Sequence, residues 1–289
     1  MNQSANANIS ECQEDDASQC GEICFTAFKT IADKHNFPPD FPSAEVATGM
    51  LSGLMAHPSF YGIVAELDGV VIGSNFLDER STIAGVGPIT VSPNIQNKAI
   101  GKELMIKVLD RAREKAFPGV RLLQVAYNNG SLSLYSKLGF NVQVSFTVMQ
   151  GAPIAQKILG YTVRAVCEED LGACNALCVH VHGHDRAGEL LDAFQLGAAT
   201  LVEHDHRIVG YSTGIAFFGH SVAESNDGLK ALISSAREFQ GPGILVPTAN
   251  HELFRWCLQS NLRVVQVMNL MTMGLYNHPN GSYLASVLY

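Results

Sequence analysis

The feature that most constrains how this chain can fold is an imperfect internal repeat. Three pairs of similar segments occur in the same order in both halves: 14–24 with 168–178, 64–74 with 201–211, and 122–142 with 244–264. The offset between the paired segments shrinks along the chain, so the second half is a shortened copy of the first. We therefore predict two tandem domains, 1–150 and 151–289.

Length and composition agree with two folded domains. The chain has 289 residues, of which 47% are hydrophobic and 16% are charged, so it can bury substantial cores. The net charge is −8 and is shared equally by the two predicted domains. Neither half carries the excess of positive charge that a general nucleic-acid-binding protein needs, so we exclude that class.

Several sequence features favour a cytoplasmic protein. The seven cysteines include no CxxC pair, which indicates reduced thiols that mostly fill the core. We recognise neither a signal peptide nor a run of about 20 apolar residues, and we expect no membrane association. His180, His182 and His184 alternate near a predicted helix end, where their rings would point apart, so we predict no metal site.

The order of predicted elements in the first half is β-α-α-β-β-β-α-β-α-β. An Asp68-Gly69 turn joins two of these strands, and Gly87-Pro88 interrupts the next strand. This order predicts an α/β (α+β) domain built on a mixed sheet.

The connection at residues 93–101, PNIQNKAIG, leaves a β-branched strand and enters a helix. A helix start offers unpaired backbone N–H groups and the positive end of the helix dipole, which together can bind an anion. Lys98 and Lys102 add positive charge, and Ala99 and Gly101 allow a ligand to approach the backbone. Taken alone, these residues suit a pyrophosphate or an ordinary polar connection equally well.

A second motif, YNNGSLSLYSKLGF, follows the next predicted strand. Together the two motifs resemble the GNAT superfamily of N-acetyltransferases. The family's Q/R-x-x-G-x-G/A loop is matched by QNKAIG at 96–101, with Ala99 in place of the first glycine. Its later asparagine and Tyr-x-Lys-x-Gly-Phe pattern is matched by Asn128, Ser131 and residues 135–140. The resemblance covers roughly residues 9–150.

The resemblance implies how acetyl-CoA would be bound and used. It assigns to the cofactor Ile89, Thr90, Val91, Gln96, Asn97, Lys98, Ala99, Ile100, Gly101, Lys102, Asn128 and Ser131. In this family the pantetheine arm lies in a gap beside the strand that precedes the loop. Tyr135 is then expected to protonate the departing CoA thiolate, and a backbone N–H near Val91 to stabilise the oxyanion. The alternative for Tyr135 is a packed aromatic ring.

The general base and the acceptor are harder to predict. Glu79 is our candidate base, although it and Asp78 also suit a charged hairpin turn. His35 and His57 flank the proline-rich segment that walls the acceptor site in similar enzymes, and both also suit helix ends. The acceptor can be a small-molecule amine or a peptide, and the sequence leaves a homodimer open.

The second half lacks the residues that carry the resemblance. It keeps Asn250 but has Cys257 where Tyr135 falls, and Glu224 and Asp227 occupy its phosphate turn. We therefore expect one CoA site per chain, with a degenerate second domain. The predicted function is acetyl transfer from acetyl-CoA to a primary amine; a non-catalytic acyl-CoA or metabolite sensor on the same fold is the alternative.

Overall fold

The computed structural model describes residues 7–95 and 99–288 and has the α/β architecture that the sequence predicts. The helices are α1 (Ala17–Lys34), α2 (Ala44–Ala56), α3 (Ala99–Glu114), α4 (Asn129–Lys137), α5 (Leu171–His182), α6 (Ala187–Gln195), α7 (Asn226–Ser235) and α8 (His251–Gln259). Short 3-10 turns at Glu14–Asp16 and Glu168–Asp170 precede α1 and α5.

Fourteen strands lie within the described residues. They are β1 (Asn8–Glu11), β2 (Phe60–Leu67), β3 (Val70–Asp78), β4 (Ala84–Val86), β5 (Thr90–Val91), β6 (Gly119–Val125), β7 (Asn141–Gln150), β8 (Tyr161–Ala165), β9 (Thr200–His204), β10 (Arg207–Ser212), β11 (Ser221–Ala223), β12 (Ile244–Pro247), β13 (Arg263–Gly274) and β14 (Ser282–Leu284). As predicted, Gly87-Pro88 separates two strands, here β4 and β5.

The two halves repeat the same order of elements, which confirms the tandem arrangement. The hairpin turns match, because Asp68 and Asp205 both adopt positive φ angles, 52° and 50°. The following glycines also match. A Cβ on Gly73 would lie 2.7 Å from the carbonyl oxygen of Thr90, and one on Gly210 would lie 2.9 Å from that of Val222. Glycine is needed at both places because the next strand passes so close.

Backbone contacts divide the described chain into two compact units. The first contains residues up to Glu79, Ile83–Val120 and Leu288. Its strands lie in the order β1-β2-β3-β4, with β5 also paired to β3. Helices α1 and α2 approach closely, since a Cβ on Gly21 would lie 2.5 Å from the Cα of Thr48. Cys20, Cys24, Leu51 and Phe76 are among the buried residues of this core.

The second unit contains Arg80–Thr82 and Arg121–Val287. One group of its strands has the order β6-β13-β7-β12, and the other has the order β14-β11-β10-β9-β8. Strand β7 comes from the first half of the sequence, yet its neighbours β13 and β12 come from the second half. This pairing explains why the compact units part at Val120–Arg121, whereas the sequence halves part at 150/151.

The second unit has a core of its own on both groups of strands. Leu229, Leu232, Val246 and Leu253 are fully buried in one cluster. All seven cysteines have free thiols, and five of them are buried, as the sequence predicts. No helix in the described ranges is both long and apolar enough to cross a bilayer.

Candidate functional site

The start of α3 is the predicted pyrophosphate seat. After β5 the chain turns, with the Ile95 N–H donating to the Ser92 carbonyl at 3.0 Å. Gln96, Asn97 and Lys98 lie outside the described residues. The sequence predicts a helix from Lys102, and in the structure α3 begins three residues earlier, at Ala99; its first turn has no acidic residue. The start of a 16-residue helix without acidic side chains in its first turn has the electrostatics that an anion requires.

The side chains of that first turn divide between core and solvent. Ile100 is buried and anchors the helix to the first unit, while Ala99 and Lys102 are exposed and Gly101 is half-buried. Lys102 is therefore placed to meet solvent or an anion, whereas the assigned Ile100 can contribute only its backbone.

Strand β5, which carries the residues assigned to the pantetheine, is held firmly on β3. Thr90 pairs with Ser74, and their hydroxyl oxygens are 3.3 Å apart in the buried interior. The Ser92 N–H donates to the Ile72 carbonyl at 2.8 Å. Ile89 precedes the strand and is half-buried.

A buried side-chain amide connects α3 to strand β3. The side chain of Asn75 is fully buried in β3, and its amide donates to the Leu104 carbonyl of α3 at 3.3 Å. Its oxygen accepts from the Phe76 N–H at 2.9 Å. Asn75 could not be identified from the sequence, because its partner lies 29 positions further along the chain.

Glu79, the predicted base, is held by an arginine. Arg111 of α3 donates from Nε to Glu79 Oε1 at 2.7 Å and from Nη2 to Oε2 at 3.2 Å. The guanidinium also lies 4.8 Å from the ring centre of Tyr61. Both carboxylate oxygens accept from Arg111, and each keeps a second lone pair, so a substrate proton would compete with this pair for Glu79. Its role as the base stays a prediction, and sequence reasoning missed Arg111.

The two histidines near the predicted acceptor wall lie at helix ends. His35 ends α1 and His57 ends α2. His57 Nδ1 accepts from the Ser59 N–H at 3.1 Å. This acceptor role fixes the neutral ring's proton on Nε2.

In the second unit, Asn128 caps α4. Its side-chain oxygen accepts from the Ser131 N–H at 3.1 Å, and its carbonyl accepts from the Gln124 amide at 2.8 Å and the Ser131 hydroxyl at 3.0 Å. The cap uses only the oxygen of the side-chain amide, so the N–H₂ group lies outside it. Ser131 thus serves the cap and belongs to the same small network.

Tyr135 lies on α4, about two helical turns beyond the Asn128 cap. Its side chain is 7% exposed and packs edge-on against Phe140, with ring centres 6.2 Å apart. Burial raises the pKa of the Tyr135 phenol above its ordinary value near 10. The hydroxyl therefore carries its proton throughout the neutral pH range.

The second half has an equivalent helix cap, Asn250, whose side-chain amide hydrogen-bonds within the protein. Asn250 caps α8 by accepting from the Leu253 N–H at 3.2 Å, with backbone angles close to those of Asn128. Its amide donates to Asn226 Oδ1 at 2.7 Å, and Asn226 in turn donates to Glu252 at 2.8 Å. Asn226 is the first residue of α7, the counterpart of α3.

The acidic charge predicted at this second turn is balanced. Arg207 donates to both oxygens of Glu224, and Lys230 bridges Asp227 and Glu252 at 2.9 Å and 2.7 Å. Cys257, the counterpart of Tyr135, is fully buried. The acidic side chains at the start of α7 are therefore paired with Arg207 and Lys230, and they leave no unbalanced negative charge there.

In the second half, β11 is the counterpart of β5, and strand β14 lies beside it. The glycine pairings above match Ile89, Thr90 and Val91 with Ser221, Val222 and Ala223 of β11. β14 pairs antiparallel with all three residues of β11, and Ala285 bridges to Leu245 of β12. Ser282 of β14 also donates to Asn226 at 2.5 Å. The chain's own C-terminal strand thus fills the space between β11 and β12.

Comparison with known proteins agrees with this geometry. Residues 28–140 match the family model described as the acetyltransferase (GNAT) family. No functionally curated protein is similar enough to count as a match.

Solved structures match over almost the whole chain. A proposed acetyltransferase from Pyrococcus horikoshii is 18% identical, with a TM-score of 0.72 over 98% of this chain and 95% of that one. A GCN5-related N-acetyltransferase from Sphaerobacter thermophilus is 15% identical, with a TM-score of 0.60 over 94% and 96%. A tandem GNAT protein of the clavulanic acid biosynthesis pathway is 13% identical, with a TM-score of 0.58 over 93% and 98%.

These likenesses identify the fold as a tandem GNAT fold. The element order, the matched hairpin turns and the matched helix caps support the same assignment from within the chain. The predicted fold class is confirmed.

Proposed function

We propose that the first half of the chain transfers an acetyl group from acetyl-CoA to a primary amine, and that the second half binds no CoA. The observation that carries this proposal is the contrast between the two repeats. The first has an acid-free α3 start and an Asn128 amide outside its cap. In the second, Asn226 and β14 occupy the corresponding positions.

In the proposed reaction, a neutral amine attacks the thioester carbonyl. The new C–N bond forms, the C–S bond breaks, and the CoA sulfur leaves as a thiolate. By analogy with cysteine, its conjugate-acid pKa is about 8.5. Tyr135 donates a hydrogen bond and then its proton to this sulfur. The acylated nitrogen releases its extra proton to Glu79 or to water, and Tyr135 regains a proton from water, so protons balance.

The environment of Tyr135 suits this role in one respect and limits it in another. Its raised pKa keeps the phenol protonated at neutral pH, so the donor is present before the reaction. The same shift makes the phenol a weaker acid than the thiol. Tyr135 is therefore expected to act mainly by hydrogen bonding to sulfur as negative charge develops there, which is when a short charge-assisted bond is strongest.

The acceptor is proposed to be a small amine or a peptide amine. Glu79 is the proposed base, and it would accept the proton in competition with Arg111. If Glu79 does not take part, water must carry the proton away.

Thiol release from acetyl-CoA, measured against a panel of polyamines, amino acids and peptides, tests the proposal. We expect amine-dependent release that Tyr135→Phe lowers strongly and Asn250→Ala leaves unchanged. CoA binding without turnover on any amine would instead support the acyl-CoA sensor, for which the closed Glu79–Arg111 pair is the favouring observation.

A further inference from the structure

Three potential metal ligands meet in the interior of the second unit. Cys178 and His182 are four residues apart on α5, which places both side chains on one face of the helix. His220 comes from the segment just before β11. One ligand atom of each residue lies within 4.8 Å of the others, and all three side chains are 0–1% exposed.

The two imidazole rings have the spacing of ligands around one ion. Their Nε2 atoms are 3.2 Å apart. Two nitrogens bound to a tetrahedral ion at roughly 2.0–2.1 Å are separated by about 3.3–3.4 Å, so only a small movement would admit a metal.

The same contact also has a simpler description. One neutral imidazole can donate its Nε2 proton to the other, which satisfies the facing pair without an ion. His220 Nδ1 has no hydrogen-bond partner among residues 7–95 and 99–288 in either description, so this atom does not distinguish them, and metal titration must.

We propose that Cys178, His182 and His220 bind one thiophilic d10 metal ion, Cu⁺ or Zn²⁺. On binding, the thiol S–H bond breaks, a metal–sulfur bond forms and one proton is released to solvent. Thiolate and imidazole ligands select these ions, and the helical four-residue spacing presents two of the three from a rigid element. The assignment is independent of the proposed acetyl transfer.

The charges around the cluster favour the ion of lower charge. The positive charges of Arg186 and Arg121 both interact electrostatically with His182. Glu189 balances Arg186 through a buried pair, with Nε to Oε2 at 2.7 Å. Cu⁺ with one thiolate is neutral, whereas Zn²⁺ leaves a positive charge and needs a fourth ligand such as water. We therefore expect Cu⁺ to bind more tightly than Zn²⁺.

The sequence could not reveal this cluster. The alternating histidines drew attention to His180, His182 and His184. His180 is exposed, as expected of a ring that points away, but the rings of His182 and His184 lie 5.7 Å apart, so the prediction that all three separate was wrong. The partners of His182 are instead Cys178, one turn earlier, and His220, which lies 38 residues further along the chain.

Metal titration of the full chain tests the proposal. The protein is treated with chelator and reductant and then titrated separately with Cu⁺ and Zn²⁺ in competition with a chromophoric chelator. Cobalt(II) is added in a third arm to detect a thiolate-to-cobalt charge-transfer band. We expect one ion per chain, tighter for Cu⁺, with a raised melting temperature.

Cys174→Ser is the matched control for Cys178→Ser, because both thiols are buried on α5 one turn apart. Cys178→Ser should weaken affinity by at least about 100-fold, since even outer partners of ligands contribute roughly 10–100-fold. Cys174→Ser should bind as the unaltered chain does. If the unaltered chain binds neither ion stoichiometrically, or if both variants bind alike, the proposal is wrong. The first of these results does not depend on either variant folding.

Discussion

The paired caps Asn128 and Asn250 allow the two repeats to be compared by one substitution, asparagine to alanine. Each caps a helix through its side-chain oxygen, at 3.1 Å for Asn128 and 3.2 Å for Asn250. They differ in their N–H₂ groups. Asn250 donates to Asn226 at 2.7 Å, whereas we propose that Asn128 donates to the pantetheine of CoA.

The magnitudes follow from these contacts. Loss of either cap costs about 1 kcal/mol of stability. Asn250→Ala also removes the bond to Asn226, which adds about 1 kcal/mol, so it should be the more destabilising change. For CoA the order reverses. Asn128→Ala loses one donor to the ligand, about 1 kcal/mol or roughly fivefold in Kd, and Asn250→Ala loses nothing.

Urea unfolding followed by circular dichroism measures the first quantity, and calorimetric titration with CoA measures the second. The expected result is that the less stable variant, Asn250→Ala, keeps the affinity of the unaltered chain. An equal loss of CoA affinity in both variants, or none in Asn128→Ala, would refute the reasoning.

Three further predictions concern Tyr135, Arg111 and Asp170. Tyr135→Phe should lower kcat roughly 10–100-fold with CoA affinity unchanged, because it removes the hydrogen-bond donor to the leaving sulfur and keeps the packing; equal kcat in steady-state assays would remove Tyr135 from the mechanism. Arg111→Met should reduce the free energy of unfolding by about 1–2 kcal/mol through loss of the Glu79 pair, measured in urea, whereas an unchanged midpoint would contradict that contact. Arg164 lowers the pKa of Asp170, so this carboxylate stabilises the fold above about pH 4 and loses that effect as the pH falls further. Asp170→Asn should therefore flatten the acid side of the stability–pH curve, and an unaltered acid limb would exclude the effect.

The repeat and the local signals were sufficient to predict the fold. Positive φ at Asp68 and Gly69 and the strand break at Gly87-Pro88 are properties of neighbouring residues, so the sequence displays them directly. Matching turns in the second half extended the same architecture over the whole chain. The helix cap formed by Asn128 was not predicted, because the sequence analysis assigned this residue to the cofactor.

The contacts that could not be predicted join distant parts of the chain. Arg111 reaches Glu79 across 32 positions, and His220 reaches His182 across 38. Likewise, nothing local indicates that β7 pairs with β12 and β13, or that β14 covers β11. Such pairings depend on tertiary packing, which local propensity does not encode.

We propose that CoA binds once per chain, with its pyrophosphate at the start of α3. A crystal structure of the chain grown with CoA would decide this. We expect one CoA, with phosphate density against the Ala99–Gly101 backbone and β14 still paired to β11. CoA beside α7 and Cys257, or no CoA at α3, would contradict it.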